Sequence, residues 1–192
     1  MWTASSRPAV PSRRSKPPGR PANAGAPGAA ATAGADPAGA ASASAPVADA
    51  SYSGAPDTIP AMMLDGNLST GWSNYYDKSA TANLRAVSAS NASDWVSLSW
   101  PDSPQRAGSL VATFTTGGAL SLPASITVSY WNGRELVPVH NLKITRATGS
   151  NQPTTITFDP VTTSQLRLTM TSPSPGSAAG FLQIAELRAV TA

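Results

Sequence analysis

An all-β fold, an antiparallel sandwich of about eight strands, is what the chain predicts beyond residue 50, and three observations predict it. Short runs of alternating apolar and polar residues recur about every 10 to 20 positions, separated by clusters of Pro, Gly, Asn or Ser. Asn132-Gly133 is the strongest turn signal, because both residues tolerate the positive φ that a type I′ hairpin requires. No segment keeps a helical period beyond two turns.

The first 48 residues read differently. They hold eight of the 18 prolines within an Ala-, Gly- and Ser-rich background. Such a segment buries too little apolar surface to offset its ordering entropy, so residues 1–48 are expected to be a disordered linker and residues 49–192 the folded domain. Charge divides the same way. Arg7, Arg13, Arg14, Lys16 and Arg20 face a single acid in the linker, Asp36, whereas the rest of the chain carries eight basic and nine acidic side chains. A basic tail attracts polyanions without specificity. It lacks the interleaved aromatics of a single-strand binder, so no specific nucleic-acid partner is expected.

The segment 13–20 leads into Pro-Ala-Asn-Ala-Gly rather than an apolar stretch, so no signal peptide is visible, and no run approaches the roughly 20 apolar residues that cross a bilayer. No membrane partner is expected. The chain has no cysteine, which removes disulfides and thiolate metal ligands.

Along the folded part, Asp65-Gly66-Asn67 predicts a tight turn rich in the hard oxygen donors that Ca2+ selects. Trp72 would fix that turn to a core, and Trp95 and Trp100, on or beside a strand, read as core as well. In 125–131, Ile126, Val128 and Tyr130 point one way and Thr127, Ser129 and Trp131 the other. In 166–171, Leu166, Leu168 and Met170 oppose Arg167, Thr169 and Thr171, again giving one buried and one wet face.

Several of these segments carry a family likeness. Asp65-Gly-Asn-Leu-Ser-Thr-Gly-Trp72 resembles the opening signature of coagulation-factor type C, or discoidin-like, domains, the superfamily that includes family 32 carbohydrate-binding modules. Asp94–Trp100, Ile126–Gly133 with Pro138-Val139, Thr155–Phe158 with Gln165–Leu168, and Leu182–Leu187 follow in that family's order. The chain departs from the pattern at Leu98-Ser-Trp-Pro101, and in carrying Trp131 before the hairpin turn rather than a Trp after it. The resemblance implies a jelly-roll topology. The wording is also similar to the C-terminal accessory domain of secreted actinobacterial glycoside hydrolases such as β-galactosidases. It implies an extracellular module of a longer chain whose export signal lies elsewhere.

By the same resemblance, Ca2+ would be held by Asp65 and Glu186 through their carboxylates and by Asn67 and Thr70 through the loop. On the residues alone, Glu186 would otherwise pair at the surface with Arg188 or Lys78. Catalysis finds little support. His140 is the single histidine, with no nucleophile or acid marked out beside it. Asp65 with Glu186, or Asp77 with Asp94, would be the carboxyl pairs for a glycosidase, but a filled sandwich of this size leaves little room for the cleft between them.

Sugar recognition rests on aromatics in loops. Asn74, Tyr75, Tyr76, Trp131 and Arg134, with Lys78, would form one stacking platform with hydrogen-bonding rims. Alternatively, Tyr75 and Tyr76 close the end of the sandwich or dock onto a neighbouring domain. Three functions follow: a non-catalytic module that binds oligo- or polysaccharide beside a glycosidase catalytic domain, a purely structural domain packed on such an enzyme, or a protein or lipid adhesion module. The near-neutral folded part disfavours the lipid version of the third.

Overall fold

The structure is a computed structural model, and it describes residues 45–75 and 90–191. The linker segment 1–44, with Tyr76, Asp77 and Lys78, lies outside the described residues.

Two five-stranded antiparallel sheets face each other. The first contains, in spatial order, β1 (Val47–Ala50), β3 (Ser93–Ser99), β9 (Gln165–Thr171), β5 (Ser125–Trp131) and β6 (Leu136–Pro138). The second contains β2 (Trp72–Ser73), β10 (Gln183–Thr191), β4 (Gln105–Phe114), β8 (Gln152–Thr163) and β7 (Lys143–Thr145). The sandwich expected from the alternation is therefore present, with short edge strands raising the count to ten among the described residues.

Inward side chains of both sheets fuse into one core. Val96, Leu98, Val128, Leu166, Leu168 and Met170 from the first sheet meet Leu110, Phe114, Ile156, Ile184 and Leu187 from the second. The two alternating segments bury the faces predicted for them: Ile126 and Val128 in β5, and Leu166, Leu168 and Met170 in β9. Trp72 is fully buried and its indole N–H donates to the Tyr52 carbonyl at 2.8 Å. Trp100 is buried as well.

Trp95 is not in the core. It shares the outer face of β3 with Ser97 and Ser99, and the Arg167 guanidinium stacks 4.0 Å from its ring centroid. Strand alternation explains this, since Val96, Leu98 and Trp100 have the opposite parity.

Val47 and Ala48 pair with Ser99 and Leu98, so β1 straddles the expected boundary. A chain starting at residue 45 should keep the melting temperature of the full protein. One starting at residue 51 loses a paired edge strand, and thermal unfolding should show a midpoint lower by on the order of 5 °C.

The β5–β6 hairpin also turns one residue later than expected. The Asn132 N–H donates to the Glu135 carbonyl, so Gly133 and Arg134 are the central pair, and Gly133 takes φ 101°. Glycine first in the pair with positive φ is the type II′ pattern. Asn132 serves instead as a cap: its Oδ1 accepts the N–H groups of Arg134 and Glu135.

Candidate functional site

Three places bring polar chemistry together: the turn at 65–70, the end of the sandwich near Asn74, and the opposite end near Trp131. The first is built by its own side chains. Asp65 Oδ1 accepts the Asn67 N–H at 2.9 Å and Oδ2 accepts the Thr70 hydroxyl at 2.7 Å, while Asn67 Oδ1 accepts the Ser69 N–H. Gly66 supplies the positive φ of 76° that the turn needs. Gly71 then crosses β10 so closely that an added Cβ would lie 2.4 Å from the Ile184 carbonyl oxygen, which presses the turn against that strand.

Glu186 meets the turn from β10. Its Oε1 is buried without a hydrogen-bond partner, and its carboxyl lies beside that of Asp65 and the backbone of Gly66 and Asn67. Burial pushes the Glu186 carboxyl above its ordinary value and the Asp65 charge adds to this, against the stabilising backbone of Gly66 and Asn67. Asp65 is held below its ordinary value, first by the Thr70 hydroxyl and then by the Asn67 amide. The structure therefore gathers all four expected metal ligands, Asp65, Asn67, Thr70 and Glu186. Two facing carboxyls, one of them with a buried oxygen that accepts no hydrogen bond, and the nearby hydroxyl and carbonyl groups of the turn are hard oxygen donors of the kind a hard cation takes. Among the described residues no group of three or more His, Cys, Asp and Glu side chains forms, so zinc chemistry has no donor set there.

At the Asn74 end, the polar residues serve the fold. Asn74 is 2% exposed; its Nδ2 donates to Asp94 Oδ2 at 2.7 Å and its Oδ1 accepts the Leu182 N–H at 2.7 Å. Asp94 also accepts from Ser51 Oγ and Asn91 Nδ2. This network ties β1, β3 and the strand-β10 entry together, and with both ends of its amide engaged Asn74 is not free for a ligand. Tyr75 packs edge-on against Phe181 with centroids 5.1 Å apart, so its ring closes the end of the sandwich.

Trp131 lies at the other end. Tyr75 continues from β2, which pairs with the start of β10, whereas Trp131 ends β5 beside Ser164 and Gln165. β5 has seven residues, so the two ends are separated by about 20 Å at roughly 3.3 Å per residue. Among the described residues of the expected platform, strand direction sends Asn74 and Tyr75 to one end and Trp131 and Arg134 to the other; Tyr76 and Lys78 lie outside the described residues.

Around Trp131 the surface is shaped. The half-buried indole lines two shallow hollows. One, of about 280 Å³, is bounded by Pro104, Asn132, Gly133 and 162–164; the other, of about 350 Å³, by Ser99, Pro101, Ser164 and Gln165. The single Thr163 hydroxyl hydrogen lies within reach of the carbonyls of both Trp131 and Gln165, at 2.8 and 2.9 Å, which ties the β8–β9 turn to the end of β5. Arg134 is exposed at the hairpin tip and lines neither hollow. Sequence reasoning missed Ser99, Pro101, Pro104 and 162–164, since no local signal links three loops that meet only after folding. His140 is exposed, and its carbonyl accepts the Asp159 N–H.

No family model matches the chain, and no curated protein matches it. Solved structures do. A chain of the Streptococcus pneumoniae β-galactosidase BgaA superposes with a TM-score of 0.58 at 18% identity, covering 79% of this chain and 95% of that one. The family 32 carbohydrate-binding module of AlyQ, in complex with 4,5-unsaturated mannuronic acid, gives 0.54 at 19% identity over 78% of this chain and 97% of its own. The family 32 module of Clostridium perfringens NanJ, in complex with galactose, gives 0.54 at 19% identity over 75% and 92%. The chain thus has the β-sandwich fold of these modules.

Proposed function

We propose that the chain is a non-catalytic carbohydrate-binding module, accessory to a glycoside hydrolase in a longer exported polypeptide. The observation that carries this reading is Trp131, a ring left half-exposed at a sandwich end between two hollows lined by hydroxyl and amide groups. Such a surface suits a sugar, whose C–H face stacks on the indole while its hydroxyls bond to the polar rim. The folds that resemble it include modules solved with galactose and with an unsaturated mannuronic acid. A module of this kind acts by raising the local concentration of polysaccharide at its enzyme.

Calcium belongs to the same reading as a structural ion. Asp65 and Glu186 would hold it through their carboxylates, with Asn67 and Thr70 contributing from the loop. A bound divalent cation would supply the positive charge that these facing carboxyls lack. Catalysis has no place in this account: Asp65 and Glu186 sit side by side where the turn meets β10 rather than across a cleft.

The test is binding of the full chain to an immobilised glycan panel. Saturable retention on at least one neutral polysaccharide is expected, and retention on none would favour a purely structural domain.

A further inference from the structure

We infer that Trp131 separates two sugar subsites, so that the ligand is a linear, uncharged oligosaccharide of at least two units lying across the indole. This rests on the carbohydrate-binding reading and gives it a chemical class and a minimum length.

The geometry begins with sharing. Trp131 and Ser164 line both hollows, so the two depressions meet along the ridge these residues make. Their volumes, about 280 and 350 Å³, stand near the lower end of small-molecule pockets at roughly 300 Å³, a size for one ring unit each rather than for a buried chain. Both are shallow and open to solvent, so a chain can lie across them without being enclosed.

Rigidity supports the assignment. Beyond the Thr163 hydroxyl contact, the Trp100 N–H donates to the Ser164 carbonyl at 2.8 Å and the Gln165 N–H donates to Thr163 Oγ1 at 3.1 Å. Neighbouring walls are proline, at Pro101 and Pro104, and a type II′ turn capped by Asn132. A site held in place before the ligand arrives loses less ordering entropy on binding.

Charge sets the class. Pro104, Trp131, Asn132, Gly133, Thr162, Thr163 and Ser164 line one hollow and Ser99, Pro101, Trp131, Ser164 and Gln165 the other, and none of these side chains is ionisable in the neutral range. No lining side chain offers a charged partner to the carboxylate of a uronic acid or to the ammonium of a glucosamine, and Arg106 and Arg134 stand outside the lining. Neutral hydroxyls lose little, because Ser, Thr, Asn and Gln both donate and accept.

The experiment titrates the full chain by calorimetry with galactose, β-1,4-galactobiose and β-1,4-galactotriose, and with arabinobiose, digalacturonic acid and a glucosamine disaccharide. At least one neutral disaccharide should bind about tenfold more tightly than its monosaccharide, with little further gain for the trisaccharide, and both charged disaccharides should bind more weakly. Thr162→Arg, which places a long side chain in the first hollow from an exposed position, should erase the disaccharide gain. Trp131→Ala should reduce all binding at least tenfold, with the melting temperature checking that it folds.

Equal affinity for mono- and disaccharide, stronger binding of a charged sugar, or binding indifferent to both substitutions would overturn the two-subsite inference and leave the carbohydrate reading standing. Binding of no sugar at all would overturn both, and would favour a purely structural domain.

Discussion

Adding Ca2+ to metal-stripped protein at 100 times its dissociation constant should stabilise the fold by about 2.7 kcal/mol, which for a domain of this size raises the melting temperature by roughly 5 to 10 °C. Chelation should reverse the shift. The reason lies in Glu186, whose Oε1 is buried without a partner beside the Asp65 carboxyl. Without a cation, that arrangement opposes ionisation of Glu186. Its folded pKa is raised above the unfolded one, so its contribution to stability is fully present below the unfolded value and is lost as pH rises through the folded value. An ion binds the deprotonated form, so the Ca2+-dependent gain should be small in acid and should grow as pH rises through the raised Glu186 pKa.

Two variants separate the ion from the turn. Asp65→Ala removes hydrogen bonds to Asn67 and Thr70 as well as a ligand, so it lowers stability even without metal. Glu186→Gln keeps the shape and removes the charge. Both should abolish the Ca2+ response, and a response that survives Glu186→Gln would place the ion elsewhere.

Asp94→Ala should destabilise the domain by about 3 kcal/mol, a fall in melting temperature on the order of 10 °C, whether or not Ca2+ is present. Asp94 is 3% exposed, and its carboxyl oxygens accept from Ser51, Asn74 and Asn91. Truncation leaves buried donors without acceptors. Asp94→Asn should be nearly as costly, because it turns an amide donor toward groups that already donate. Thermal unfolding that shows a loss below about 1 kcal/mol would mean that these donors find other partners.

Much of the fold was legible because strand alternation is local. The inward residues of β5 and β9, and the outward placement of Trp131, follow from parity alone. Parity also contained the correct place for Trp95, opposite to Val96 and Leu98, although its neighbourhood suggested core. The hydrogen-bonded turn was legible since Asp65, Asn67 and Thr70 lie within six positions, and Glu186 entered through the family likeness. What escaped was long-range. Asn74 reads as an exposed loop amide until Asp94 and Leu182 are brought to it, from 20 and 108 positions away. Tyr75 and Trp131 look interchangeable as loop aromatics, and only strand direction separates them. The hairpin shifted by one residue because Asn132 gains more as a side-chain cap than as a central turn residue.

The most direct measurement is a titration of isotopically labelled protein with β-1,4-galactobiose, or with whichever neutral oligosaccharide the panel identifies, followed through the tryptophan indole N–H resonances. The chain has five tryptophans, and the Trp72 indole, bonded to the Tyr52 carbonyl in the core, serves as an internal control. The Trp131 resonance should move in a saturable way together with the amides of 132–133 and 163–165, while Trp72 stays fixed. A Trp131 resonance that does not move while amides of 174–182 at the opposite end do would contradict the assignment of the sugar site to Trp131.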